Sequence, residues 1–331
     1  MIITGASGFV GANLVRYFLD RGVKLIALEG PSNCGWRLDS IPKLERVTVD
    51  LTSKSAVQKL IRDTQPSSFI NCAAYGAYSV QNDADRIYSI NFDSLRYLFD
   101  SLREVPGFRA FIQTGSSSEY GANCAAPDED AITIPDSHYA VSKTAANALV
   151  RFYGTKLGFP VWNFRLYSVY GPYEDGSRLI SKLLREASTG GLPPLVDSRI
   201  SRDFIHVDDV SYACDKLIQN AATLTKGGAF NIGTGSRTSL ENLIATARRL
   251  FNVAKEPQWA SMQSRSWDHA DWYANPAKAL KEFGWKAEIT LDAGLASTMQ
   301  WMLANRKTAF IDAVENSVFT DNKNEPQKKS A

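Results

Sequence analysis

The sequence predicts an α/β fold: a doubly wound parallel sheet with a smaller α/β lobe beside it. Three observations carry this expectation. Short apolar runs alternate with amphipathic helical runs from residue 2 onward, the pattern of strand–helix–strand crossovers. The first alternation turns on the glycines Gly5, Gly8 and Gly11. At 331 residues the chain also exceeds the usual limit of a single core. We therefore expect a first domain at 1–166, with later segments near 203–232 returning to it. A second lobe is expected at 167–311, and a disordered, lysine-rich tail at 312–331.

Composition bounds the function. Hydrophobic residues at 44% and charged residues at 22% describe an ordinary globular chain. A net charge of +2 offers little attraction for a polyanion, so nucleic acid is not an expected partner. No apolar run nears the roughly 20 residues of a membrane span, and no secretory signal is recognisable. Cys34, Cys72, Cys124 and Cys214 lack the paired spacing of a zinc or redox site. Reduced thiols in a cytoplasmic protein are the plain reading. His138, His206 and His269 are equally dispersed, and no metal site is expected.

Ile2 and Ile3 form a short strand that runs into the glycine turn. Leu14, Val15 and Phe18 then fall on one face of a helix. The first glycine permits the tight turn, the second lets a pyrophosphate approach the backbone, and the third packs helix against strand. Ser7, Phe9 and Val10 lie in this turn, where a helix start offers free N–H groups and the positive end of its dipole. The motif reads as a dinucleotide site, with an ordinary βα turn as the alternative. The chain begins only three residues before Thr4. Either the start is trimmed or this central strand is poorly anchored.

A second apolar run, Val23 to Leu28, ends in Glu29, placed to accept hydrogen bonds from an adenosine ribose. Glu29 would repel a 2′-phosphate, which favours NAD. Arg37 in the following loop would admit NADP if it met that phosphate, or it is a solvated loop arginine. The strand Val47–Val49 ends in Asp50-Leu51, residues 54–63 read as a helix, and Ser68 to Cys72 as a buried strand. That strand breaks at Asn71-Cys72-Ala73-Ala74, where small residues let the backbone lie close to a cofactor's ribose and phosphates, and Tyr75 follows as a further cofactor-binding candidate. Residues 85–103, with Asn91, form a long helix. The strand Ala110–Thr114 then delivers Gly115-Ser116-Ser117-Ser118-Glu119-Tyr120-Gly121, and a helix from Tyr139 to about Tyr153 carries Tyr139 and Lys143 one turn apart.

These motifs, Gly-x-x-Gly-x-x-Gly followed by a serine-rich strand end and Tyr-x-x-x-Lys, resemble the extended short-chain dehydrogenase/reductase family. Its NAD-dependent epimerase/dehydratase members mostly remodel nucleotide-activated sugars. The resemblance runs over about residues 2 to 305 and implies a Rossmann-like sheet. It implies that Asp50 and Leu51 hold the adenine, that Asn91 braces the strand ends, and that Ser116, Tyr139 and Lys143 are catalytic. Ser117 and Ser118 would line the substrate. Tyr167 to Pro172 resembles the family's hinge, after a strand at Val161–Leu166. Arg202 and Arg265 match positions that clamp a sugar nucleotide's diphosphate, for which the planar guanidinium fork is suited. Ion pairs with Asp203 and Asp268 are the alternative for the two arginines. Helices are also expected at 177–188, 240–251 and through Trp301. A homodimer is the family's habit.

The chemistry explains the residue types. Hydride transfer at a sugar carbon requires proton transfer at the attached oxygen. Tyrosine titrates near 10, so a base near neutrality needs a downward shift of about three units, roughly 4 kcal/mol. The Lys143 ammonium and a nicotinamide cation would both act in that direction. Ser116 would hydrogen-bond the same sugar oxygen. Glu119 would either touch substrate or cap and pair structurally. His138 stands where relatives usually have proline and has a substrate-contacting reading beside a structural one.

Three reactions compete. A 4,6-dehydratase is disfavoured because Ser117 and Ser118 stand where those enzymes carry Asp-Glu or Ser-Glu, unless the alignment slips by one and Glu119 supplies the acid. Gly-Ser-Ser-x-Glu-Tyr-Gly resembles reductases of nucleotide-linked 4-keto-6-deoxyhexoses, which is the leading expectation, with Tyr139 as proton donor. A 4-epimerase that retains its NAD is the alternative. A non-catalytic dinucleotide sensor is a remote one, since both Tyr139 and Lys143 are present.

Overall fold

The computed structural model describes residues 1–31, 35–78, 80–262 and 270–305. Arg265, His269, Cys34 and the tail expected at 312–331 lie outside the described residues. Seven parallel strands form the main sheet. They are β1 (Ile2–Thr4), β2 (Ile26–Glu29), β3 (Glu45–Thr48), β4 (Ser68–Asn71), β5 (Ala110–Ser116), β6 (Val161–Leu166) and, beyond three short strands, β10 (Ala229–Ile232). Their order is β3-β2-β1-β4-β5-β6-β10, so the direction of winding reverses between β1 and β4. Ligands of open α/β sheets bind at such a reversal, outside the carboxyl ends of the strands.

Alternation along the strands feeds both faces. Ile3, Ile70 and Ile112 join one buried cluster, while their neighbours Ile2, Phe69 and Phe111 join another. The first is covered by α1 (Phe9–Asp20) and α7 (Val207–Asn220). The second is covered by α2 (Lys54–Thr64), α4 (Ser94–Leu102) and α5 (His138–Thr155). Strands buried on both sides explain why these runs are continuously apolar rather than alternating. The central strand β1 is short but well held. It pairs with β2 on one side and β4 on the other, and Ile2, Ile3 and Thr4 are fully buried.

A third buried cluster forms from α6 (Leu179–Ala187), α8 (Leu240–Phe251) and α10 (Leu291–Ala304). It also takes in Tyr170 of β7 (Ser168–Tyr170) and Phe204 of β9 (Phe204–His206). Two small pairings accompany it, β7 with β9 and β8 (Ser201–Arg202) with β11 (Thr238–Ser239). The short helices α3 (Ala84–Tyr88) and α9 (Ala277–Phe283) complete the set. The single helix expected at 85–103 is instead α3, a π-helical turn at Ser89–Asp93, and α4. Such a turn inserts an extra residue without breaking the rod, and it commonly marks a functional site.

Candidate active site

The glycine turn builds a cradle at the sheet's reversal point. Gly5 takes φ +59°, and a Cβ there would lie 2.6 Å from the Cys72 backbone. A Cβ on Gly11 would overlap the Gly5 carbonyl. The two glycines therefore let β1, β4 and α1 converge. Helix α1 starts at Gly8 without a side-chain cap, so its first N–H groups face the crevice. The Ser7 hydroxyl beside them is buried and has no protein partner. A pyrophosphate fits this cradle: Ser7, Phe9, Val10 and Gly11 would supply donors, and Gly8 is exposed for close approach.

Neighbouring residues shape the rest of the cofactor groove. Glu29 is buried at the end of β2, and Arg46 grips it with two bonds, 2.6 Å from Nε and 3.1 Å from Nη2. Arg37 is no solvated loop arginine. It is buried and donates to the Ser7 and Tyr173 carbonyls at 3.2 and 2.8 Å, bracing the turn. Asp50 is exposed and its Oδ1 accepts from the Thr52 amide and hydroxyl, while Leu51 is buried. The Ala73 amide donates to the Thr4 hydroxyl at 3.3 Å, and Ala74 is exposed beside it. Asn91 ties the segment after β4 to α5. Its side chain bonds both the N–H and the carbonyl of Tyr75, and also Ser142 on α5. The π-helical turn is what aims Asn91 there, since it displaces this residue relative to a regular helix.

Ser116, Tyr139 and Lys143 converge at the end of β5. Ser137 caps α5 through the Ala140 amide, which fixes the helix start and aims Tyr139 at the strand end. The Ser116 hydroxyl hydrogen-bonds the phenol, and burial is the larger influence, pushing the Tyr139 pKa up to about 12. This is opposite to the downward shift expected. The Lys143 ammonium lies 5.6 Å from the Tyr139 ring centroid and donates to the Thr114 carbonyl at 2.8 Å. Lys143 is itself buried, and desolvation brings its pKa down to about 8, opposed by the charge of Glu119. Tyr139 at rest is thus a phenol able to give a proton, poised against Ser116.

Glu119 takes the structural role. It is fully buried, pairs with the buried Arg165 at 2.7 Å, and accepts the Ser116 amide at 3.0 Å. Arg165 also reaches the Tyr120 hydroxyl and the Glu129 carbonyl. Gly115 makes room, because a Cβ there would meet the Glu119 carboxylate at 2.5 Å. Ser118 lies 2.7 Å from the Ser116 hydroxyl, whereas the Ser117 hydroxyl accepts from the Trp272 indole at 3.0 Å. Arg202 sits 5.0 Å over the Trp272 ring and donates to the Ser201 carbonyl. Ser117 and Arg202 are thereby linked through one aromatic. Asp203 turns inward and accepts from Thr234, Gly235 and Ala274. His138 is exposed and meets the Tyr88 hydroxyl at 3.1 Å.

Sequence reasoning missed Thr4, Arg46, Trp272 and Arg178. Arg178 stands just before α6 without capping it, lies 5.5 Å over the Tyr78 ring, and its charge pulls on the Tyr139 phenol. Arg46, Trp272 and Arg178 carry no short-range motif, since each reaches the site from a distant element, and Thr4, though beside the glycine turn, shows its role only in the bond from the Ala73 amide. Among the described residues no cluster of three metal-ligating side chains occurs, and no helix is long and apolar enough to cross a membrane.

The model of the NAD dependent epimerase/dehydratase family matches residues 1–233. A dTDP-glucose 4,6-dehydratase of Xanthomonas campestris pv. campestris is 28% identical, over 92% of this chain and 93% of that protein. An Arabidopsis thaliana protein is 25% identical over 92% of this chain. It is described as a trifunctional UDP-glucose 4,6-dehydratase/UDP-4-keto-6-deoxy-D-glucose 3,5-epimerase/UDP-4-keto-L-rhamnose-reductase, and the chain spans about half its length, 47%. The structure of a UDP-glucose 4-epimerase from Thermotoga maritima with UDP-glucose superposes with a TM-score of 0.81 at 22% identity. The match covers 93% of this chain and 98% of that one and shows a common fold. With the family model running from Met1 to just past β10, and the glycine cradle and the Ser116–Tyr139–Lys143 cluster inside that span, this chain belongs to the NAD-dependent epimerase/dehydratase family of enzymes.

Proposed function

We propose that the chain is an NAD-dependent 4-epimerase of a nucleoside-diphosphate sugar. The observation that carries this reading is the state of Glu119. Dehydration across two sugar carbons needs an acid beside the catalytic serine to protonate the departing hydroxyl. Here that acid is locked into a buried pair with Arg165, and the two positions after Ser116 are hydroxyls. What remains is proton movement at one oxygen. With its phenol first ionised beside the Lys143 ammonium, Tyr139 takes the proton of the sugar hydroxyl and later returns it to the same oxygen, which Ser116 holds by a hydrogen bond. The Gly5–Gly11 cradle and Glu29 would hold NAD, which would supply a hydride acceptor and donor for the sugar carbon. Arg202 and Arg265 would hold the diphosphate, and the relatives named above, which act on dTDP- and UDP-sugars, support that substrate class.

A reductase of 4-keto-6-deoxyhexoses is the second reading, favoured by the Gly115–Gly121 motif. Both use the same three residues, and they differ in whether nicotinamide is consumed. The deciding experiment incubates the protein with UDP-glucose, UDP-glucuronic acid or dTDP-glucose and catalytic NAD, following new anomeric proton signals by NMR. A C4 epimer without net NADH supports the proposal. A 4-keto-6-deoxy product, or stoichiometric NADH consumption with a 4-keto sugar, overturns it.

A further inference from the structure

Glu29 and Arg46 form a unit whose geometry bears on cofactor choice. Both carboxylate oxygens of Glu29 are engaged by one guanidinium, and the same Arg46 reaches Asp39 through Nη1 at 2.9 Å. Arg46 lies on β3, directly beside β2, and remains partly exposed, while Glu29 is almost wholly buried. Gly35, with φ +58°, lies against the pair. A Cβ there would overlap Arg46 and come within 3.0 Å of Glu29. Gly35 thus leaves the room that the pair occupies. A carboxylate offers about four lone-pair directions; Arg46 uses one on each oxygen and leaves the others for a diol.

We infer that Arg46 is a cofactor-specificity residue, which orients Glu29 toward the adenosine ribose hydroxyls and is kept from a 2′-phosphate by that same grip. The local charges explain the selectivity. Glu29, Arg46 and Asp39 together carry one net negative charge, so a phosphate dianion is repelled while two neutral hydroxyls are accepted. Replacing Glu29 by glutamine removes the negative charge and frees the guanidinium for the bidentate phosphate contact that arginine favours. This inference concerns the dinucleotide alone and does not depend on which sugar is turned over.

The test is direct binding of NAD and NADP by isothermal titration, with no substrate present. Arg46→Ala should weaken NAD about tenfold, the scale of losing a charge-assisted bond, with NADP still excluded by Glu29. Glu29→Gln should bind NADP at least about tenfold more tightly than wild type. The double variant Glu29→Gln/Arg46→Ala should lose that gain. Circular dichroism confirms that each variant is folded, and a misfolded one is replaced by Arg46→Lys, which keeps charge but not the fork. An NADP gain that survives removal of Arg46, or NAD affinity indifferent to it, overturns the inference.

Discussion

At the level of single residues, the site separates chemistry from support. In the proposed reaction Tyr139 is the group whose proton moves, so Tyr139→Phe should lower kcat by a factor of about 10²–10⁴. NAD affinity, measured by titration, should be unchanged, because the cradle of Gly5 to Gly11 lies on another element. Glu119 works through Ser116. Its carboxylate holds the Ser116 amide and neutralises Arg165, both deep in the protein. Removing one partner of a buried pair costs about 3–5 kcal/mol because the other charge is stranded. Glu119→Leu should therefore unfold at markedly lower urea. Glu119→Leu/Arg165→Met should recover much of that stability, yet remain slow because the serine amide has lost its acceptor. A double variant with full kcat would show that Glu119 has no part in positioning Ser116.

Among the elements, β1 with its turn and α5 with its cap carry the most information per residue. Both were legible, because their chemistry is local: glycines at fixed spacing, and Tyr139 and Lys143 one helical turn apart. The leading role of burial at Tyr139 was not legible, since the surroundings of a side chain come from strands far away in sequence. The same reason hid Arg46 behind Glu29 and Trp272 behind Ser117. The π-helical turn at Ser89–Asp93 was also invisible, for its residues are ordinary helix formers and only the contacts of Asn91 reveal it. The turn itself yields a sharp expectation. Gly11→Ala drives a methyl into the Gly5 carbonyl, an overpacking worth about 1–3 kcal/mol. Moving α1 away to relieve it opens the cradle. Thermal melts with and without NAD should show a lowered midpoint and loss of the NAD-induced rise.

For the whole molecule, the active site draws on the stability that the packed sheet supplies. Lys143 is buried and its pKa is lowered to about 8 from an ordinary 10.5, chiefly by desolvation. Below about pH 8 the amine is protonated in folded and unfolded states alike, and the full cost of burying the charge, about 3 kcal/mol, is present. Between pH 8 and 10.5 the unfolded chain holds a proton that the folded chain has released, so this contribution to stability rises with pH. Above 10.5 the penalty is gone. Lys143→Met removes the charge but also the bond to the Thr114 carbonyl, worth about 1 kcal/mol. The variant should therefore be inactive and about 2 kcal/mol more stable than wild type at pH 7 by urea denaturation, within the range of such trade-offs. Measured toward pH 10.5, the difference should shrink and then change sign, because a neutral lysine keeps its hydrogen bond and methionine cannot make one. A variant less stable than wild type at pH 7 would mean that the ammonium is held by its surroundings more strongly than its burial penalises it.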